Sequence, residues 1–229
     1  MHRVAIIKFP GTNCDHDVAW ALKAVDGLEP HVVWYEDFML RGWDAIVVPG
    51  GFSYGDYLRA GAIAARTKVM EKVAEAVEGG LPVLGICNGF QILVESGLLP
   101  GALLGNESGS FICRWVRLRV ERPKGPWLLL LEDGQELSMP IAHAEGRYFI
   151  DEETYASELS HAPLIRYAEG WNPNGSLYDI AGVASRDGLV LGLMPHPERA
   201  SERIITPRGH SPDGRLIFQS LAVALRRGW

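Results

Sequence analysis

An α/β protein is predicted, with an open, mostly parallel sheet flanked by helices and an antiparallel β extension. Three observations carry that expectation. The first hundred residues alternate short apolar runs with amphipathic helical patterns, as strand–helix–strand units do. Residues 115–194 switch to period-two alternation and hairpin signals, which belong to antiparallel strands. Residues 216–226 return to helical spacing, with Ile217, Leu221 and Ala224 on one face.

Residues 4–7, 45–48 and 83–86 are apolar runs rich in β-branched side chains, as expected of parallel strands buried on both faces. Asn13 is placed to cap a helix whose first turn carries Asp15 and Asp17, favourable at the positive end of the dipole. Its apolar face is Val18, Leu22 and Val25. Residues 31–35 are a further strand candidate, although the stretch before Ala45 is short for a full crossover. A second helix is expected over residues 62–78, with Val69, Val73 and Ala76 inward and Gly79-Gly80 as its stop. Residues 115–120 alternate Val116, Leu118 and Val120 with Arg117 and Arg119, the pattern of a half-exposed strand. Residues 127–131 and 135–142 read as a hairpin turning through Glu132-Asp133-Gly134. Residues 180–185 and 189–194 read as another, turning through Asp187-Gly188.

Composition narrows the function classes. The chain has 229 residues, 47% hydrophobic and 22% charged, enough to bury a core without a disulfide or metal staple. No repeat or linker interrupts it, so residues 1–229 are expected to form one domain. A net charge of −6 with no long like-charge run argues against nucleic-acid binding. No stretch approaches the roughly 18 apolar residues of a membrane span, and residues 1–8 read as a strand rather than a signal peptide. Cys14, Cys87 and Cys113 fit neither a disulfide framework nor a zinc motif, so a reducing cytoplasm is the expected location. Cys14, which lacks flanking glycines, is expected to be structural or partner-facing, and Cys113 to be buried.

The strongest chemical signal is Gly85-Ile86-Cys87-Asn88-Gly89, between an apolar strand and a helical pattern. Gly-x-Cys-x-Gly in that context is the cysteine form of the nucleophile elbow, which lifts a side chain clear of the sheet at a helix N-terminus. Such a position favours the thiolate, the attacking species. The competing reading is a small buried core cysteine. Among seven histidines, His196 stands out in Pro195-His196-Pro197-Glu198. Pro197 pushes His196 into an extended conformation, so His196 and Glu198 share a face and the carboxylate can orient the imidazole. A surface His-Pro-Glu loop is the alternative. Pro49-Gly50-Gly51 follows another strand, at the sheet edge where loops gather around one crevice. There the N–H groups of Gly51 and Asn88 are candidate donors to a tetrahedral oxyanion. No phosphate-binding loop and no metal-ligand spacing occurs in the chain.

Together, Pro49-Gly50-Gly51, Gly85-x-Cys87-x-Gly89-Phe90-Gln91 and Pro195-His196-Pro197-Glu198 resemble the class I glutamine amidotransferases. Three further segments narrow the resemblance to glutaminase subunits of a purine-pathway synthetase. They are Phe9-Pro10-Gly11-Thr12-Asn13-Cys14-Asp15, Gly50-Gly51-Phe52-Ser53-Tyr54-Gly55-Asp56 and Asn172-Pro173-Asn174-Gly175-Ser176. The resemblance implies a flavodoxin-like sheet and hydrolysis of glutamine to glutamate and ammonia. It implies Cys87 as nucleophile, His196 as base and acid, Glu198 as its orienter, and Gln91 in contact with bound glutamine. It implies no cofactor in this chain, with ATP and Mg2+ on a large synthetase subunit that makes formylglycinamidine ribonucleotide, and a small accessory subunit beside it. Ala144, in Ala142-His143-Ala144-Glu145-Gly146, stands where the family pattern has glycine. Two other readings remain open here: a stand-alone cysteine hydrolase or deglycase, and a non-catalytic redox or partner-binding subunit.

Overall fold

The computed structural model describes residues 1–229. In chain order the strands are β1 (His2–Lys8), β2 (Leu28–Trp34), β3 (Ala45–Val48), β4 (Val83–Ile86), β5 (Ala102–Leu104), β6 (Ile112–Glu121), β7 (Glu136–His143), β8 (Arg147–Phe149), β9 (Leu164–Tyr167), β10 (Ile180–Ala184) and β11 (Val190–Leu193). The helices are α1 (Asp15–Lys23), α2 (Lys68–Glu78), α3 (Asn88–Glu95), the one-turn α4 (Glu152–Thr154) and α5 (Arg215–Arg227). Nine strands make one sheet in the order β2-β1-β3-β4-β11-β10-β9-β6-β7, and β5 pairs with β8 apart from it. The half from β2 to β11 is parallel and the half from β10 to β7 antiparallel.

The parallel half is the expected α/β layer. β3 and β4 are buried along their whole length, which is why they read as unbroken apolar runs rather than alternating ones. Strand β2 exists, and the short link to β3 crosses β1 without a helix. A 3-10 turn at Tyr35–Asp37 and the fully buried Phe38 cover the sheet where a crossover helix would lie. On α1 the inward face is Val18, Ala21 and Leu22, but the cap position falls at Cys14, not Asn13. Helix α2 starts at Lys68, later than predicted, because residues 64–66 form a separate 3-10 turn that ends at the extended Thr67. Helix α5 buries Ile217, Phe218 and Leu221, each contributing about 1.5–3 kcal/mol of transfer free energy.

One predicted hairpin is replaced by another. Residues 127–131 are not a strand; β7 pairs instead with β6, from Ile112↔His143 to Arg119↔Glu136. The buried residues Trp127, Leu128 and Leu131 are spaced i, i+1, i+4, a helical-turn pattern that period-two pairing cannot bury. Trp127 Nε1 donates to Leu189 O at 3.2 Å, which fixes the turn against the sheet. The β10–β11 hairpin forms as expected.

Parallel strands send their carboxyl ends to one edge, where loops from β1, β3, β4 and β11 meet. Adjacent β4 and β11 are in register at Ile86↔Leu193, so Cys87 and the chain leading to His196 leave the sheet side by side. The far end of β7 reaches back over this edge, where Pro140 O accepts the His196 N–H at 2.8 Å. Because β7 is an edge strand, the N–H that Pro140 lacks costs no ladder bond.

Candidate active site

Cys87 is the corner between β4 and α3. Its backbone sits at φ 51° and ψ −105°, a strained conformation for a residue with a side chain. Close approach explains the flanking glycines. A Cβ on Gly89 would lie 1.8 Å from Val48 O, and one on Gly85 would lie 2.7 Å from Gly89 O. The strained cysteine, the helix starting at Asn88 and the two required glycines reproduce the elbow geometry. The Cys87 Sγ is 3.6 Å from Ala142 O.

The imidazole comes from the neighbouring strand. His196 is extended, at φ −102° and ψ 93°, as the following proline dictates. Its Nδ1 is 2.6 Å from Glu198 Oε1, and both side chains are at most 2% exposed. Burial by itself would lower the His196 pKa. The charge of Glu198 and contacts with both Cys87 and Cys14 outweigh it and hold the pKa well above the ordinary histidine value. The pair therefore favours an imidazolium, the form that gives a proton to a leaving amine.

The third wall follows β3. Gly51 lies at φ 151° and bridges Thr12, and its N–H donates to no backbone or side-chain acceptor. Asn88 opens α3, where helix N–H groups have no intrahelical partner. Its side chain holds the β3 loop to the elbow: Asn88 Oδ1 accepts the Ser53 N–H at 3.0 Å. Asn88 Nδ2 donates to Gln91 Oε1 at 2.9 Å, and Gln91 Nε2 donates to Glu145 O at 2.6 Å. Gln91 thus lines the cleft with its amide committed to holding two loops together. The cleft over Cys87 is bounded by Gly51, Phe52, Asp56, Gln91, Ala142 and Glu145 among others, and measures about 40 Å³. That is space for roughly three waters. A larger groove of about 580 Å³ lies on the Glu198 side and does not include Cys87 among its walls.

Residues 1–221 match the CobB/CobQ-like glutamine amidotransferase domain. The chain belongs to that family. Among relatives, a phosphoribosylformylglycinamidine synthase subunit PurQ from Thermus thermophilus is 52% identical over 98% of this chain and 100% of its own. One of the same name from Methanosarcina acetivorans is 50% identical over 96% of this chain and 97% of its own. A chain in the structure of PurLQS from Thermotoga maritima superposes with a TM-score of 0.87 at 46% identity, covering 98% of this chain and 100% of that one.

Several residues around this amidotransferase site stand in the sequence motifs without a role that the sequence assigns. Asp56 and Glu145 face the cleft, and burial together with the Glu145 charge pushes the Asp56 pKa up to about 6. The Gly-Asp signal at residues 55–56 sits in a motif, but nothing in its spacing marks a carboxylate pair. Asn174 is fully buried and donates to Gly146 O at 2.8 Å, so the Asn-Pro-Asn-Gly-Ser segment props the loop that carries His143 and Glu145. Ala144 does not have a positive φ, so the loop needs no glycine there. Cys113 is exposed, contrary to expectation, because its strand β6 turns that face to solvent. Cys14 is buried against His196, as expected of a structural cysteine, with Arg199 Nη2 donating to its sulfur at 3.2 Å. No helix is long and apolar enough to cross a membrane.

His143 gives a stability prediction. Burial, and then the charge of His196, lower its pKa from 6.5 to about 4, while its Nδ1 lies 3.0 Å from Asn106 Oδ1. The unfolded chain therefore takes up this proton first as pH falls, and folding stability is lost between pH 6.5 and about 4. By pH 5 the loss from this residue is expected to be about 2 kcal/mol. Urea unfolding of wild type and His143→Gln at pH 7 and pH 5 checks it. The variant should lose correspondingly less stability on acidification, and identical losses would refute the assignment.

Proposed function

We propose that this chain is the glutaminase component of a phosphoribosylformylglycinamidine synthase in purine biosynthesis. The single observation that carries the reading is the buried His196–Glu198 pair, 2.6 Å apart, packed beside an elbow cysteine. Near-full-length identity to proteins named PurQ supports the choice of synthase.

Glutamine enters the cleft with its side-chain carboxamide toward Cys87. Asp56 and Glu145 complement its α-ammonium group. The Cys87 sulfur, its proton held on the His196 ring, attacks the carboxamide carbon, and the Gly51 and Asn88 N–H groups donate hydrogen bonds to the oxygen as it gains negative charge. His196 passes a proton to the leaving nitrogen, and ammonia departs. The neutral His196 ring then takes a proton from water, which attacks the thioester, expels the thiolate and leaves glutamate. Glu198 holds one ring tautomer throughout. Ammonia passes to a large synthetase subunit, where ATP and Mg2+ are handled, with a small accessory subunit in the same assembly. The PurLQS neighbour supports that assembly.

The 40 Å³ cleft adds a quantitative expectation. Its walls are tied by Ala60 N donating to Glu145 Oε2 at 3.1 Å and by the Gln91–Glu145 bond, and they must part for glutamine. The isolated chain should therefore hydrolyse glutamine slowly, by a factor on the order of 10²–10³ if partner binding is also needed to set one oxyanion donor. Steady-state rates for the chain alone, and with the synthetase subunits, ATP and formylglycinamide ribonucleotide, test both function and gating. Partner-stimulated glutamine hydrolysis is expected; no hydrolysis in either state would refute the function. Equal rates at saturating glutamine would refute the gating alone.

A further inference from the structure

The proposed reaction gives no part to one side chain of the cleft. His143 ends β7, is 3% exposed and lines the cleft together with Cys87, Gly51 and Ala142. Its Nε2 is buried without a hydrogen-bond partner. Buried polar atoms are nearly always paired, so an orphan on a cleft wall is a place for a donor on the ligand. The other ring nitrogen decides what Nε2 offers. Asn106 Nδ2 donates to Ser110 O at 2.9 Å and to His143 O at 2.8 Å, and Asn106 Oδ1 accepts the Gly146 N–H at 3.1 Å. Those three bonds fix which way the Asn106 amide points. Its oxygen therefore stands 3.0 Å from His143 Nδ1, and that nitrogen must carry the hydrogen. With the pKa pushed down to about 4, the ring takes up no second proton at neutral pH. Nε2 thus presents a bare lone pair. The ring is also held in place: a Cβ on Gly146 would lie 2.2 Å from its Cε1 and Nδ1, so the Gly146 backbone packs directly against it.

We propose that His143 is a specificity-determining residue, whose Nε2 accepts an N–H of the glutamine carboxamide and so selects an amide over an acid or an ester. This inference rests on the glutaminase reading. Gly51 and Phe52 supply one side of the cleft, and Ala142, His143 and Ala144 supply another. With the carboxamide oxygen at the Gly51 and Asn88 N–H groups, the nitrogen turns toward the end of β7. In a cleft of about 40 Å³, no group beside Cys87 is far from His143. The amide nitrogen carries two hydrogens, one of which Nε2 takes as a hydrogen bond. In the tetrahedral intermediate the nitrogen regains its own lone pair, which receives the proton from His196. His143 moves no proton itself. A glutamate carboxylate has no hydrogen to give and sets its oxygen against the Nε2 lone pair, which disfavours the acid and eases release of the product.

Two substrates separate this role from a structural one. Glutamine is compared with the γ-methyl ester of glutamate, which forms the same thioester but has no N–H to give. Rates are measured on the full chain with its synthetase subunits. In His143→Asn the shorter amide can still donate to Asn106 Oδ1 but places no atom where Nε2 stood. Its kcat/KM for glutamine should fall about 10–100-fold, the cost of one unpaired buried donor, while that for the ester should change by less than about threefold. In His143→Gln the longer amide can set its oxygen near the Nε2 position and should regain most of the loss. Equal losses on both substrates in His143→Asn, or undiminished turnover of glutamine, overturn the assignment and leave the glutaminase reading standing. A wild type that cleaves neither substrate overturns that reading and the assignment with it. Nitrogen-15 NMR of the Cys87→Ser chain gives a reading without turnover: glutamine, but not the ester, should shift the His143 Nε2 resonance. An unmoved resonance at saturating glutamine, or an equal shift with the ester, overturns the assignment.

Discussion

His196→Ala is expected to lower the rate of glutamine hydrolysis by about 10²–10⁴-fold, the usual worth of a positioned acid–base group. The ring sits between the elbow thiol and a buried carboxylate, and the contacts with Glu198, Cys87 and Cys14 outweigh the burial that would strip it of its proton. Removing it leaves the leaving nitrogen without a proton donor and the attacking water without a base. Glu198→Gln should cost much less, since the amide keeps a hydrogen bond to the ring and loses only the charge. The two should also differ in pH response. With the Glu198 charge gone, the His196 pKa should fall, so the variant should lose its protonated imidazole at lower pH than wild type. Rates for both variants across pH, with synthetase partners present, are the check. Near wild-type turnover in His196→Ala would remove the base from the mechanism.

Gly51→Ala is expected to cost about 10²–10³-fold in turnover, the loss of one oxyanion donor. Two features make the position intolerant. Its φ of 151° is one that L side chains rarely adopt, and a Cβ there would meet Thr12 Cα at 2.7 Å and the Asn13 nitrogen at 2.8 Å. The loop must shift, and the unpaired Gly51 N–H turns away from the carboxamide. Because the defect lies in the transition state, kcat should fall more than KM rises. A variant with an unchanged kcat would place the oxyanion elsewhere.

Much of this site was legible because its determinants are local. The elbow glycines touch Val48 and their own turn, and Pro197 sets the backbone of His196 directly. The parallel strands announced themselves by burial on both faces. What escaped reading depends on long-range packing. Residues 127–131 carry enough apolar character for a strand, yet three of them are buried by a turn against residue 189. Asn13 has the side chain of a cap, but the Thr12–Gly51 bridge draws the chain so that Cys14 takes that place. Cys14 meets His196 across 182 residues, and no sequence spacing encodes that meeting. The covering role of β7 was equally hidden, since it requires a strand at the far edge of the sheet to return over the carboxyl ends of β4 and β11.

The central claim is that Cys87 is the nucleophile in a glutamine-shaped site. Mass spectrometry after treatment with 6-diazo-5-oxo-norleucine, a glutamine-shaped electrophile, measures it most directly. A single adduct on Cys87, absent in Cys87→Ser and slowed by excess glutamine, is the predicted result. Labelling that persists in Cys87→Ser, or that appears first on Cys14, would contradict it.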